Sequence, residues 1–171
     1  MTRVFQDSRG WIWFGASDGL YRYDGLNFQP VGIPEGVEAG AASAIFEWGG
    51  KLWVGFESGA IGYLPVNNPL RHVSTDAFLN KKKPAAHLRL WKPEEGLPKQ
   101  AITGFAADHT GGFWISTYGE GLYCWKNNRL YRFDETDEGL TDNEVYALAC
   151  DANGHIWAAT DAGISICAMP E

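Results

Sequence analysis

Carboxylates are the residues with the most obvious chemistry in this chain. Glu94 with Glu95, Asp134 with Glu135 and Asp137 with Glu138 stand as adjacent pairs. General acid and base work would need two environments that push the pKa values of such a pair apart. All three pairs sit instead in polar stretches beside Glu-Gly-Leu, where solvated charge is the ordinary state. Four histidines (His72, His87, His109 and His155) share no metal-ligand spacing, and His109 and His155 fall within or just after Asp-x-x-Gly turns. The run Asp151-Ala-Asn-Gly154 is similar to a fragment of a calcium loop but lacks the remaining ligands and the distal Glu. Ser116, Thr117 and Thr160 have neither a nucleophile elbow nor a readable His partner. Cys124, Cys150 and Cys167 make an odd count with no Cys-x-x-Cys pair, and read as small apolar residues in strands. These residues therefore predict no catalytic residue, no metal site and no cofactor.

The elements that would have to position any site are written in a repeat. The stretch "DSRGWIWFGASDGLYRYDG" at residues 7–25 recurs around "EWGGKLW", "DHTGGFW" and "DANGHIW". Four tryptophans (Trp13, Trp53, Trp114 and Trp157) anchor the copies. An acidic residue lies six positions before each (Asp7, Glu47, Asp108, Asp151) and a glycine three before (Gly10, Gly50, Gly111, Gly154). A second glycine follows at Gly19, Gly59, Gly121 and Gly163. The period is about 40 residues, with an insertion of about 20 in the second copy.

Each copy reads as four short strands, a to d. Strand a is the apolar run before the acidic residue. Asp-x-x-Gly then turns the chain, because Asp can accept bonds from amides two residues on while Gly tolerates positive φ. Strand b carries the tryptophan, and strands c and d follow the second glycine and an Asn/Gly-rich tip. Four antiparallel strands per 40 residues is the signature of a propeller blade, which can bury its faces only against neighbouring blades. The expected fold is therefore all-β, a row of β-propeller blades. Boundaries fall at 1–37, 38–97 (insertion about 74–92), 98–140 and 141–171, with strand d of the second blade near Leu70 to Val73. Tryptophans on strand b are expected to fill the gaps between blades. Small residues on strand a (Ala42, Ala44, Ala106, Ala107, Ala147, Ala149) suit a crowded axis, whereas Phe5, Phe46 and Phe105 do not. Trp11 has no counterpart in the other copies.

Composition excludes several classes. A net charge of −7, with Lys81 to Lys83 as one local cluster, disfavours a basic nucleic-acid face. There is no apolar run of about 18 residues to cross a bilayer, and "MTRVFQDSRG" lacks the apolar segment of a secretory signal.

The pattern Asp-x-x-Gly-x-[LIF]-Trp-[IV]-Gly-[TS]-x-x-Gly-Leu-x-x-[YW], followed by an acidic Glu-Gly-Leu connector, resembles the two-component regulator propeller repeat. Departures are Glu47 for Asp, Ala16 and Phe56 for Thr, Ala60 for Leu, and "ISIC" in the last copy. The resemblance implies the sensor propeller of a bacterial hybrid two-component system, periplasmic in the parent protein, with a histidine kinase module elsewhere in that chain. It also implies a response to nutrients, often polysaccharide fragments. The sequence opens inside a strand a and closes after a strand c, so fifteen strands are counted where four complete blades have sixteen. The last blade is expected to lack its outer strand. Three arrangements stay open: a closed four-bladed ring, two chains completing an eight-bladed ring, and an arc of a longer propeller. The bulky strand-a rings favour the last two.

In a propeller the b-to-c turns and the d-to-a connectors share one face, around the channel mouth, and binding residues concentrate on such loops. The ligand-binding candidates are Asp18, Glu57, Tyr118, Glu120 and Asp161 on turns, with Gln100 and Asn143 on connectors. Carboxylates and amides suit sugar hydroxyls, and a tyrosine can stack on a ring face. The leading expectation is a non-catalytic sensor or ligand-binding propeller. The alternatives are an interaction scaffold, using the blade rims or the insertion with Trp91, and a propeller lyase or hydrolase. Self-association to complete a ring is the expected partner chemistry besides a small glycan.

Overall fold

The computed structural model describes residues 3–23, 25–66, 86–94, 96–136 and 139–169. These form fifteen strands and no helix. The first blade is β1 (Arg3–Gln6), β2 (Ile12–Ala16), β3 (Gly19–Tyr23) and β4 (Phe28–Val31). The second is β5 (Ala42–Trp48), β6 (Lys51–Phe56), β7 (Ile61–Pro65) and β8 (Arg89–Leu90). The third is β9 (Ile102–Ala107), β10 (Phe113–Thr117), β11 (Leu122–Lys126) and β12 (Arg129–Phe133), and the fourth is β13 (Val145–Cys150), β14 (Ile156–Thr160) and β15 (Gly163–Cys167). Every sheet is antiparallel with strands in chain order, and the fourth has three strands among the described residues.

The Asp-x-x-Gly turn is built by the aspartate. Asp7 Oδ1 accepts the amides of Arg9 and Trp11, and Oδ2 accepts the Trp13 indole Nε1 at 3.0 Å. The same tie recurs from Trp114 to Asp108 at 2.8 Å and from Trp157 to Asp151 at 2.9 Å. One carboxylate therefore closes the turn and fixes the rotamer of the blade's largest side chain. For Asp7 and Asp108, burial alone would raise the pKa, but the indole and amide donors outweigh it and hold both below the ordinary value. In Asp151 the Trp157 indole is the leading cause of the same lowering.

The second blade departs from this pattern and corrects the alignment. β5 runs on through Trp48, which pairs with Lys51, so Gly49 and Gly50 make a tighter turn. Glu47 pairs with Leu52 inside the sheet, and its carboxylate reaches the first blade instead, accepting the Ser8 amide at 2.7 Å and hydroxyl at 2.6 Å. Trp53 Nε1 then donates to the Trp48 carbonyl at 3.2 Å.

Strand b has two faces of different kinds, and this fixes how blades stack. Trp13 packs with Leu52, Val54 and Phe56 of the next blade, Trp53 with Phe113 and Ile115, and Trp114 with Ile156 and Ala158. Each tryptophan thus faces forward and its strand neighbours face back, as the alternation of a strand requires. Among the described residues no blade lies ahead of Trp157, which is 40% exposed. A Cβ on Gly15 would overlap the Ala42 carbonyl oxygen, so glycine there sets the closest approach of the first two blades. Phe5, Phe46 and Phe105 all lie in these inter-blade clusters, and Phe105 also lines the central cavity between the innermost strands. Trp11, unexplained by the repeat, lies with its ring 4.0 Å from the guanidinium of the buried Arg22, which donates to Gln29 Oε1 at 2.5 Å.

The innermost strands of all four blades line a cavity of about 200 Å³ through Arg3, Ala44, Thr103, Ala147 and Leu148, among others. Hydroxyls at strand-a bulges tie the second blade to the third and the third to the fourth: Ser43 Oγ donates to the Ile102 carbonyl at 2.5 Å and Thr103 Oγ1 to the Val145 carbonyl at 2.6 Å. The sheets form an arc, not a closed ring, since the outward faces of the first and fourth blades stay open, with Val4 64% and Ile164 68% exposed.

The fourth strand of the second blade is β8, so it lies inside the segment expected as insertion, 74–92, and the extra residues precede it. The expected strand at Leu70 to Val73 lies outside the described residues, as do Met1, Asn67, Asn68, His72, Lys81 to Lys83, Glu95, Asp137 and Glu138.

Candidate functional site

The b-to-c turns are tied to the connectors entering strand a, which places both on one rim. Glu57 N donates to the Ala41 carbonyl, Tyr118 N to Ala101 and Asp161 N to Glu144, each at 3.0 to 3.1 Å. In the third blade the turn is also bonded to the next connector, with Gly119 N and Gly121 N both donating to the Asn143 carbonyl at 3.0 Å. Gly121 has φ +76°, and a Cβ there would overlap the Phe133 carbonyl oxygen, so no other residue fits this corner without movement. Thr117 clamps the same turn from inside: its Oγ1 donates to the Gly121 carbonyl at 2.9 Å and accepts the Glu120 amide at 3.0 Å. Thr160 Oγ1 likewise donates to the Gly163 carbonyl at 3.0 Å, and Ser116 Oγ lies 2.8 Å from Thr103 Oγ1. The hydroxyls of strand b are turn and sheet fasteners.

The seven rim candidates are not equivalent. Asp18 is exposed and accepts the Tyr21 hydroxyl at 2.8 Å, on the first blade alone. Glu57 is exposed, with no side-chain hydrogen bond among the described residues. Glu120 is committed to the scaffold, because its Oε2 accepts the Lys99 amide at 2.9 Å and the Tyr123 hydroxyl at 3.2 Å. Burial first, and then the Glu120 charge, push Tyr123 up to about 12. Gln100 is exposed and lies beside Gly119. Asn143 supports two turns through its carbonyl, while its Oδ1 accepts the Glu135 amide at 3.0 Å.

Tyr118 and Asp161 are brought together by Tyr146, a residue the sequence did not single out. The Tyr118 and Tyr146 rings lie 5.6 Å apart at 58°, and the Tyr146 hydroxyl donates to Asp161 Oδ1 at 3.1 Å. The bond with Tyr118 first, and with Asp161 second, raises the Tyr146 phenol above its ordinary value. All three side chains are exposed. Tyr146 occupies the bulge of β13 equivalent to Ser43 in β5 and Thr103 in β9. Those two reach the following blade, whereas Tyr146 stands over the rim. Two aromatic faces and a carboxylate on a rigid edge can stack on an apolar ring face and accept bonds from hydroxyls beside it.

A second concavity of about 260 Å³ lies between the second and third blades, lined by Trp91, Lys92, Pro93, Glu94, Trp125 and Asn128. Trp91 and Trp125 meet edge to face at 5.2 Å. Both are half-buried and belong to the packing that surrounds Trp53. The cysteines lie in β11, β13 and β15, and burial first pushes the Cys124 thiol up to about 12. Among the described residues no group of three His, Cys, Asp or Glu side chains could hold a metal ion, and no helix is long and apolar enough to cross a membrane.

Residues 139–162 match the family model of the two component regulator propeller. No curated protein matches the chain in sequence. Among solved structures, the chain is similar to the extracellular domain of BT4673 from B. thetaiotaomicron, described as a one component system, with TM-score 0.74, 20% identity, and coverage of 99% of this chain and 21% of that one. It is similar to PorZ, a bacterial surface component of the type-IX secretion system of Porphyromonas gingivalis, with TM-score 0.68, 15% identity, and coverage of 96% and 25%. The computationally designed Ika4 protein gives TM-score 0.61 at 15% identity, covering 99% of this chain and 93% of that one. The chain thus spans about a fifth to a quarter of the length of the two bacterial neighbours. At these identities the neighbours establish the fold, an arc of β-propeller blades, and within it residues 139–162 carry the match to the two component regulator propeller.

Proposed function

We propose that this chain is a ligand-binding part of an extracytoplasmic sensor propeller in a two-component signalling protein, with its kinase module elsewhere in the parent chain, and that its ligand is a small neutral carbohydrate. The observation that carries the reading is the rim cluster of Tyr118, Tyr146 and Asp161, which joins exposed aromatic faces to an exposed carboxylate across two blades. Gln100 and Glu120 flank it, and Asp18 and Glu57 extend the polar rim. The matched repeat and the extracellular neighbours support the signalling context. Rim residues act by binding and orienting sugar hydroxyls; no bond is made or broken.

The test is calorimetric titration with a panel of neutral oligosaccharides, before and after Tyr118→Ala and Asp161→Asn. Binding weakened tenfold or more by each variant, about 1.4 kcal/mol or more, with unchanged thermal unfolding, is the expected result. Binding that survives both variants would move the ligand site away from this cluster. No binding by any oligosaccharide would remove the carbohydrate reading and favour an interaction scaffold.

A further inference from the structure

The strand-a bulge is one device used in three blades, with a different occupant in each. Ser43, Thr103 and Tyr146 each stand out of the ladder between two paired neighbours. In the second and third blades the bulge hydroxyl crosses to the following blade and donates to the carbonyl just before the next bulge. Ser43 Oγ reaches that of Ile102, and Thr103 Oγ1 that of Val145. Each hydroxyl therefore holds the backbone from which the following bulge residue departs. The last of these residues, Tyr146, carries the ring that faces Tyr118 at the rim.

Both rings of that pair are held from one short segment of the third blade. The Tyr118 amide donates to the Ala101 carbonyl at 3.0 Å, and Thr103 lies two residues on. Two residues of extended chain span about 6 to 7 Å, comparable with the 5.6 Å between the ring centroids. On the side of the fourth blade, Val145 buries its side chain completely in the cluster of Trp114 and Ile156, and the Glu144 carbonyl accepts the Asp161 amide at 3.1 Å. Val145 is thus fixed by its side chain and by its carbonyl, so Tyr146 departs from a backbone with little freedom of direction. Ser116 Oγ, 2.8 Å from Thr103 Oγ1, buttresses the threonine from strand b.

We infer that Thr103 is the positioning residue of the rim cluster: by holding the Val145 carbonyl, its hydroxyl sets the direction of Tyr146 and so brings that ring to Tyr118 and its phenol to Asp161. Thr103 itself lines the central cavity between the innermost strands, so it acts through the backbone and not by touching a rim ligand. That the cluster binds a ligand rests on the function proposed above; its placement by Thr103 does not. If the bulge hydroxyls only stiffened the arc, Ser43 and Thr103 would matter alike to the ring pair. The geometry instead gives Thr103 an effect there that Ser43 lacks, because the Ser43 bond ends one blade earlier.

NMR of the chain tests this without a ligand, through nuclear Overhauser cross-peaks between the Tyr118 and Tyr146 rings, assigned with Tyr118→Phe and Tyr146→Phe. Thr103→Val keeps the branched shape and removes the donor, so the cross-peaks should be lost while the rest of the spectrum stays native. Thr103→Ser keeps a hydroxyl and should keep them, and Ser43→Ala should leave them in place. Thr103→Cys, a weaker donor of similar size, serves if Thr103→Val does not fold, and should reduce them. Cross-peaks undiminished in the folded Val or Cys variant, or lost as fully in Ser43→Ala, would overturn the inference. In titrations with neutral oligosaccharides, Thr103→Val should also weaken binding tenfold or more. A wild-type chain that binds none of them would remove the carbohydrate reading and leave the cross-peaks to decide the role of Thr103.

Discussion

Trp114 and Trp157 occupy the same place in the repeat and make the same bond to an aspartate, yet only one has a blade in front of it. Truncating each to alanine therefore separates the energy of the inter-blade contact from that of the motif. Trp114 is 0% exposed and stacks on Phe133 at 5.3 Å. Burial of roughly 200 Å² of ring at about 25 cal/mol per Å² gives about 5 kcal/mol, the top of the range for deleting a buried aromatic. Loss of the indole donor is common to both truncations, since Trp157 makes the same bond to Asp151, and it cancels in their difference. Trp157 is 40% exposed, so the same arithmetic gives about 3 kcal/mol, and its truncation leaves an open surface in place of an enclosed cavity. Urea unfolding followed by circular dichroism should show Trp114→Ala costing about 2 kcal/mol more than Trp157→Ala. Equal costs would show that the tryptophan stabilises its own turn and strand, and that forward packing adds nothing.

Two further outcomes follow from the same geometry. Gly15→Ala should cost about 1 to 3 kcal/mol through overlap with the Ala42 carbonyl, whereas Gly111→Ala, at φ +88° in open space, should cost only the backbone strain of about 1 to 2 kcal/mol; a Gly15 variant more stable than the Gly111 variant would contradict the close approach of the first two blades. Asp7, Asp108 and Asp151 have folded pKa values below their unfolded ones, so their contribution is complete above about pH 4 and is lost as pH falls through the folded values. Trp13→Phe, which removes one donor to the buried Asp7, should cost about 1.5 to 3 kcal/mol at pH 6 and less at pH 2.5, and a cost independent of pH would refute the role of that bond.

The blades were legible in the sequence because one local device repeats. An aspartate, a glycine and a tryptophan at fixed spacing specify turn, strand and rotamer together, and three copies obey it. Glu47 shows where counting fails: six positions before Trp53 it looks like the turn acid, but Gly49 and Gly50 permit a shorter turn, so β5 keeps Glu47 in the sheet. The pairing of Arg89 and Leu90 with the third strand of the second blade was not legible, because a two-residue strand is too short to carry a pattern. Trp11 needed its partner Arg22, which lies across the strand pair and not along the chain. Tyr146 was invisible for a similar reason. A bulge between Val145 and Ala147 turns one residue out of register, and only the folded sheet shows that this residue stands beside Tyr118.

That placement bears on how a rim ligand could be converted into a signal. Tyr118 belongs to a turn of the third blade, whereas Tyr146 and Asp161 belong to the fourth. The turn is rigid, since Thr117, Gly121 and the Asn143 carbonyl hold it from three sides. A ligand spanning Tyr118 and Asp161 touches two blades at once, so its binding energy depends on their spacing. That spacing is set by Trp114 and by the Thr103 hydroxyl, which reaches the Val145 carbonyl one residue from Tyr146. By linkage, whatever displaces the fourth blade changes affinity at the rim, and a bound ligand resists that displacement by the same free energy. Packing on the open face of the fourth blade is such an influence. Trp157→Ala, which leaves every rim side chain in place, should therefore alter ligand affinity if the coupling runs through blade spacing, and should leave it unchanged if the rim acts alone.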